Sequence, residues 1–68
     1  MATIYKKIGG KIRKARKERR LTQEDLAHLA RIDPKSVIEI EAGKRNPTLK
    51  TMRKIALAFK LKLEDLIE

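Results

Sequence analysis

Apolar residues recur along this chain at the three- and four-residue spacing of helices, and no segment alternates as a half-buried strand would. Ile4, Ile8, Ile12 and Ala15 predict an amphipathic helix over roughly residues 4–19. Gly9 and Gly10 interrupt it at a cost of about 1 kcal/mol each relative to alanine, so the helix is expected to fray ahead of Gly10. Thr22, with Asp25 three residues on and Glu24 in the first turn, signals a second helix start. Leu26, Leu29 and Ala30 then share a face, and Ala27 leaves a small surface for a crossing helix. Asp33-Pro34 is the N-cap and first-position signal for a third helix, which runs from Pro34 to Ala42 and stops at Gly43. At about 100° per residue, Val37 and Ile40 lie on one side of it and Lys35, Ile38, Glu39 and Ala42 on the other. Asn46-Pro47 is a turn, and Thr48 caps a fourth helix with Leu49, Met52, Ile55, Ala56 and Phe59 inward. Leu61 returns to the core. Residues 62–68 fit a short fifth helix, with Glu64 and Asp65 in its first turn and Leu63, Leu66 and Ile67 apolar. The expectation is an all-α single domain of five helices over residues 1–68.

A short helix held by its predecessor, with one face packed and the other displayed, is what a helix-turn-helix presents to the major groove. The stretch from Thr22 to Gly43 resembles the helix-turn-helix of the Cro/phage-repressor (XRE-like) family. Counting that family's core from Gln23, its small residue falls on Ala27 and its apolar residues on Leu26, Ala30, Ile32, Val37 and Ile40. The resemblance extends through Ile8-Gly9, Arg16, the run from Glu41 through Gly43 to Pro47, and Leu61 to Leu66, nearly the whole chain. It implies a compact lambda-repressor-like fold. It also implies that Arg16 and Glu41 tie helix 1 to the recognition helix and that Gln23 binds a phosphate, in keeping with the anion preference of helix N-termini. Two positions depart from the pattern. Arg31 stands where a glycine is usual, so either it adopts a left-handed conformation at about 1 kcal/mol or the turn is altered. Pro34 stands where a base-reading glutamine is common, which removes one side-chain donor.

Size and charge narrow the partners. A 68-residue domain buries only about 60% of its unfolded surface, so a second copy is a natural source of stability. Eighteen Lys plus Arg against nine Asp plus Glu give a formal charge of +9, for which a polyanion is the default partner. One Tyr and one Phe make no platform for stacking single-stranded bases, which favours double-stranded DNA. The chain has no cysteine for a disulfide or a thiolate metal site. Its one histidine, His28, lacks partners for a metal site, the acidic pairs sit at helix starts, and Ser36 has no histidine beside it. Neither enzyme chemistry, a cofactor nor a small-molecule substrate is indicated. No segment approaches the roughly 18 apolar residues of a membrane span and no signal-peptide core is evident, so a cytoplasmic protein is expected. The cationic face of helix 1 lacks the bulky apolar opposite face of a membrane-surface helix and the serines of a presequence.

The charge is unevenly placed. Residues 1–20 carry nine bases and one acid, residues 21–43 two bases and five acids, and residues 44–68 seven bases and three acids. The reading unit is acidic, so attraction to a DNA backbone falls to the flanks: Arg13 on helix 1 and Lys44, Arg45, Asn46 and Lys50 after helix 3, with Ser36 beside them. On the displayed face, Lys35 can donate to guanine and Glu39 can accept from cytosine, or the two form a solvated i,i+4 pair. Ile38 fits either a thymine methyl or packing against its neighbours. Leu63 and Ile67 are candidates for a homodimer interface. The function expected is a sequence-specific, repressor-like regulator binding an inverted repeat. Its rival is a protein-interaction module of the same fold, antitoxin-like or polymerase-binding, which Pro34, Ile38 and the acidic reading unit favour.

Overall fold

The computed structural model describes residues 3–68, so the first two residues of the expected domain lie outside it. Its helices are α1 (Thr3–Glu18), α2 (Gln23–Ala30), α3 (Pro34–Glu41), α4 (Leu49–Phe59) and α5 (Leu63–Ile67), and no strand occurs among the described residues. The starts are local chemistry. Thr22 Oγ1 accepts from the Asp25 amide at 3.0 Å while the Thr22 amide donates to Asp25 Oδ2 at 2.9 Å, a reciprocal capping box. Those bonds hold the Asp25 carboxyl below its ordinary value of 3.8. Asp33 Oδ1 accepts from the Lys35 amide, Thr48 Oγ1 from the Thr51 amide, and Asp65 Oδ2 from the Lys62 amide.

The ends repeat one device. Arg20, Arg31, Gly43 and Lys60 each take a left-handed conformation after α1, α2, α3 and α4 respectively. The amide one residue further on reaches back to close the final turn: Leu21 to Arg16 O, Ile32 to Ala27 O, Lys44 to Glu39 O and Leu61 to Ala56 O, at 2.9–3.1 Å. After α1, α2 and α4 the returning residue is apolar. Leu21, Ile32 and Leu61 all pack against the core, the hydrophobic contact that accompanies this motif. Arg31 has φ 57° and ψ 48°, so the turn keeps the geometry that usually selects glycine, and Arg20 and Lys60 make the same substitution elsewhere. Each accepts about 1 kcal/mol of left-handed strain. Each also sets a cation against the negative end of a helix dipole, which offsets part of that cost.

Ile12, Leu26, Val37, Ile40, Ile55 and Leu66 are fully enclosed, so every helix contributes to one core. Three residues assigned inward from spacing lie outside it: Ile4 is 51% exposed, Leu29 53% and Leu49 63%. Ile4 and Leu49 sit in the first turns of their helices, beyond the reach of a covering neighbour. The buried arc of α2 is instead made of Leu26, Ala27 and Ala30.

α1 continues unbroken through both glycines, contrary to the expected fraying. Gly9 is buried where α1 crosses the last turn of α3; a Cβ there would stand 2.3 Å from Ile40 O and 2.8 Å from Glu41 O. The crossing can close only because that residue has no side chain. Gly43, at φ 73°, abuts Lys6 in the same way, with its notional Cβ 3.0 Å from the Lys6 Cα.

Candidate nucleic-acid interface

The position of α3 is set from three sides. Val37 and Ile40, each 1% exposed, anchor it to the core. Its N-terminus is held to α2 by the tight turn through Arg31, and its C-terminus is clamped to α1. The clamp centres on Arg16, whose Nε and Nη2 donate to the two carboxylate oxygens of Glu41 at 2.7 and 3.0 Å while Nη1 donates to Leu21 O at 2.7 Å. Bidentate pairing of this kind is short and charge-assisted, and it raises the Arg16 pKa through the Glu41 hydrogen bond. The pair is nearly enclosed, at 10% and 3% side-chain exposure. Gln23 joins it, donating from Nε2 to Glu41 Oε1 at 3.1 Å, so that its side chain is directed to α3 at the first turn of α2.

The outward side of α3 carries Lys35, exposed, Ile38, 50% exposed, and Glu39 and Ser36, half-buried. Lys35 and Glu39 are not paired within salt-bridge distance; Glu39 instead receives Arg45, whose Nη1 lies 3.3 Å from Glu39 Oε1 and 2.6 Å from Ser36 Oγ. Arg45 thus folds back over α3. Lys44, Asn46 and Lys50 are exposed in the loop beyond it and the first turn of α4. Arg13 is exposed on α1, one helical turn from both Gly9 and Arg16, the residues in contact with α3. Lys6 shares that stripe and lies against Gly43.

This geometry places most of the acids of the reading unit in local or paired roles, and ion pairs offset two of them. Of its five acids, Asp25 and Asp33 cap helices, Glu41 is neutralised by Arg16 and Glu39 by Arg45. Glu24 alone has no recorded partner among the described residues. What remains around α3 is a rim of cations from α1 and the following loop.

A helix-turn-helix family model matches residues 12–66. The chain belongs to this family of DNA-binding transcriptional regulators. Among helix-turn-helix relatives, an uncharacterised HTH-type transcriptional regulator of Methanocaldococcus jannaschii is 48% identical over 46 residues, covering 68% of this chain and 70% of that one. The immunity repressor protein of Bacillus phage phi105 is 33% identical over 60 residues, 88% of this chain but 42% of the repressor. Among solved structures, the restriction-modification controller protein C.AhdI of Aeromonas hydrophila superposes with a TM-score of 0.89 at 34% identity, over 91% of this chain and 94% of the controller. The clp gene regulator ClgR of Corynebacterium glutamicum shares the fold, with a TM-score of 0.87 at 21% identity over 93% of this chain and 67% of that one.

Spacing alone missed several features of this helix-turn-helix. Arg19, one of the nine bases of residues 1–20, donates to Ala15 O and Phe59 O, and its guanidinium lies 4.9 Å from the Phe59 ring centroid. It joins the end of α1 to α4. Of the two candidate interface residues, Leu63 is partly buried against its own core and Ile67 is 38% exposed, whereas Leu57 on α4, given no role from sequence, is 76% exposed. An i,i+8 pair of leucines flanking Arg53 was the available signal.

Proposed function

We propose that α3 enters the major groove of an operator, with Lys35, Ile38 and Glu39 toward base edges and Arg13, Ser36, Lys44, Asn46, Lys50 and the backbone N–H of Gln23 at the start of α2 toward phosphates on either side. The observation that carries this reading is the exposed outward face of α3 ringed by cations, while Val37 and Ile40 fix the opposite face in the core. Good base contacts each discriminate by about 1–3 kcal/mol. One protomer's two polar readers therefore approach only the lower part of the ~4–10 kcal/mol that separates specific from nonspecific binding. A homodimer on an inverted repeat, with half-sites about one helical turn apart, doubles that discrimination. Ile67, with Leu63 at its edge, is the proposed contact between copies. The protein acts in the cytoplasm as a repressor-like regulator without enzymatic activity.

Selection from randomised duplex DNA at near-physiological salt tests this. The enriched sequences should form an inverted repeat. Log affinity should fall with log salt by about 0.9 for each phosphate neutralised, and Lys44→Ala and Lys50→Ala should each flatten that slope without changing the preferred sequence. Absence of any enriched sequence would instead favour the protein-interaction module. One observation supports that second reading: Leu49 and Leu57 stand exposed on α4, which packs chiefly against α1, α2 and α5 rather than α3.

A further inference from the structure

The charge pattern of the sequence places Arg45 on the phosphate-binding flank, yet its guanidinium lies on the reading face. Nη1 bridges Ser36 and Glu39, residues three apart and therefore neighbours on the outward side of α3. With side chains 48% and 37% exposed, the Arg45–Glu39 pair contributes little to stability. Its interest lies in what it leaves available. Arg45 occupies Glu39 Oε1, and Oε2 has no protein partner among the described residues. Arg45 Nη2 and Nε likewise have no protein partner among the described residues. A free carboxylate acceptor and a planar fork of donors are thus held side by side on an exposed surface.

That arrangement mirrors the major-groove edge of a C·G base pair, where the cytosine amino donor adjoins the O6 and N7 acceptors of guanine. A guanidinium matches the guanine acceptors bidentately, and a carboxylate matches the amino group. Pairing also removes an obstacle, since a lone Glu39 carboxylate would be repelled by the phosphates lining the groove. We infer that Arg45 is a base-reading residue that acts as one unit with Glu39. Glu39 Oε2 accepts from the cytosine amino group of a C·G pair, and the free donors of Arg45 reach the guanine of the same pair rather than a phosphate. The inference rests on the proposed placement of α3 in the major groove.

The test starts from the sequence selected by the wild-type protein. Affinities of wild type, Arg45→Ala, Arg45→Lys, Glu39→Gln and the double variant Arg45→Ala/Glu39→Gln are measured on that site and on every single base-pair change in one half-site. Circular dichroism melts confirm folding, which truncation of an exposed loop side chain leaves intact. Arg45→Ala should lose about 5- to 150-fold of discrimination at one C·G pair. Glu39→Gln should relax the same pair, and the double variant should lose no more than the larger single loss. Arg45→Lys keeps the charge without the fork, so it should retain the wild-type salt slope while still relaxing that pair. The inference is overturned if Arg45→Ala weakens all sequences alike, or if Arg45 and Glu39 govern different pairs. A wild-type protein that selects no sequence at all would bring down the placement of α3 itself, an outcome distinct from a selected preference that survives the loss of Arg45.

Discussion

Replacing Gly9 by alanine adds one methyl group aimed at the final turn of α3. Judged by helix propensity the change is favourable by about 1 kcal/mol, and the same holds for Gly10, its neighbour. The two sites differ in what the new carbon meets. At Gly10 nothing lies within 4 Å, whereas at Gly9 the backbone oxygens of Ile40 and Glu41 stand 2.3 and 2.8 Å away. Backbone oxygens in a capped helix end cannot rotate aside, so α1 and α3 must separate. Overpacking costs about 1–3 kcal/mol; with rigid backbone at this distance the upper half of that range, about 2–3 kcal/mol, applies, and the propensity gain of about 1 kcal/mol leaves a net loss of about 1–2 kcal/mol. Domains of this size shift in Tm by roughly 4–8 °C per kcal/mol. Thermal melts followed by circular dichroism should therefore show Gly10→Ala rising by about 4–8 °C and Gly9→Ala falling by about 4–16 °C. Because Ile40 and Glu41 end the recognition helix, Gly9→Ala should also weaken binding to a selected operator at temperatures where it remains folded. Equal stabilisation of both variants would refute the close crossing of α1 and α3.

Breaking the clamp should be more severe. Arg16→Met leaves the Glu41 carboxylate almost fully enclosed without its cation and with only the Gln23 amide as donor, a loss of about 3–5 kcal/mol; the urea midpoint should drop accordingly, and Arg16→Met/Glu41→Leu should recover much of it. The Asp25 cap gives a pH dependence whose sign follows from its lowered pKa. A carboxyl titrating lower in the folded than in the unfolded chain contributes stability above its ordinary value of 3.8 and loses it as pH falls through the folded value. The Tm difference between wild type and Asp25→Ala should accordingly be full at neutral pH and shrink below about pH 4. In the left-handed position after α2, Arg31→Gly should stabilise by up to about 1 kcal/mol and Arg31→Val should destabilise by at least that much, as read from chemical denaturation.

Much of the fold was legible because its signals are local. Capping residues such as Thr22, Asp33 and Thr48 form bonds within three positions of themselves, and Val37 and Ile40 reveal their face through spacing alone. The candidate reading face followed from the same periodicity, since what does not pack on a short amphipathic helix is displayed. Pairings between distant positions carry no such signal. Whether Glu39 meets Lys35 or Arg45 depends on where the loop after α3 folds, and only the tertiary structure places that guanidinium over Ser36 and Glu39. The role of Gly9 was hidden for the same reason: a glycine reads as a weak point in an isolated helix, and becomes a requirement only once another backbone crosses it. Charge behaves alike. Summed along residues 21–43, the reading unit is acidic; in space, Arg16 and Arg45 pair with Glu41 and Glu39, while Asp25 and Asp33 are turned to helix N-termini as caps. Composition and period therefore determined which helices form and which faces they bury. Close approach, which depends on where separate helices meet, decided which of the remaining side chains are free to touch DNA.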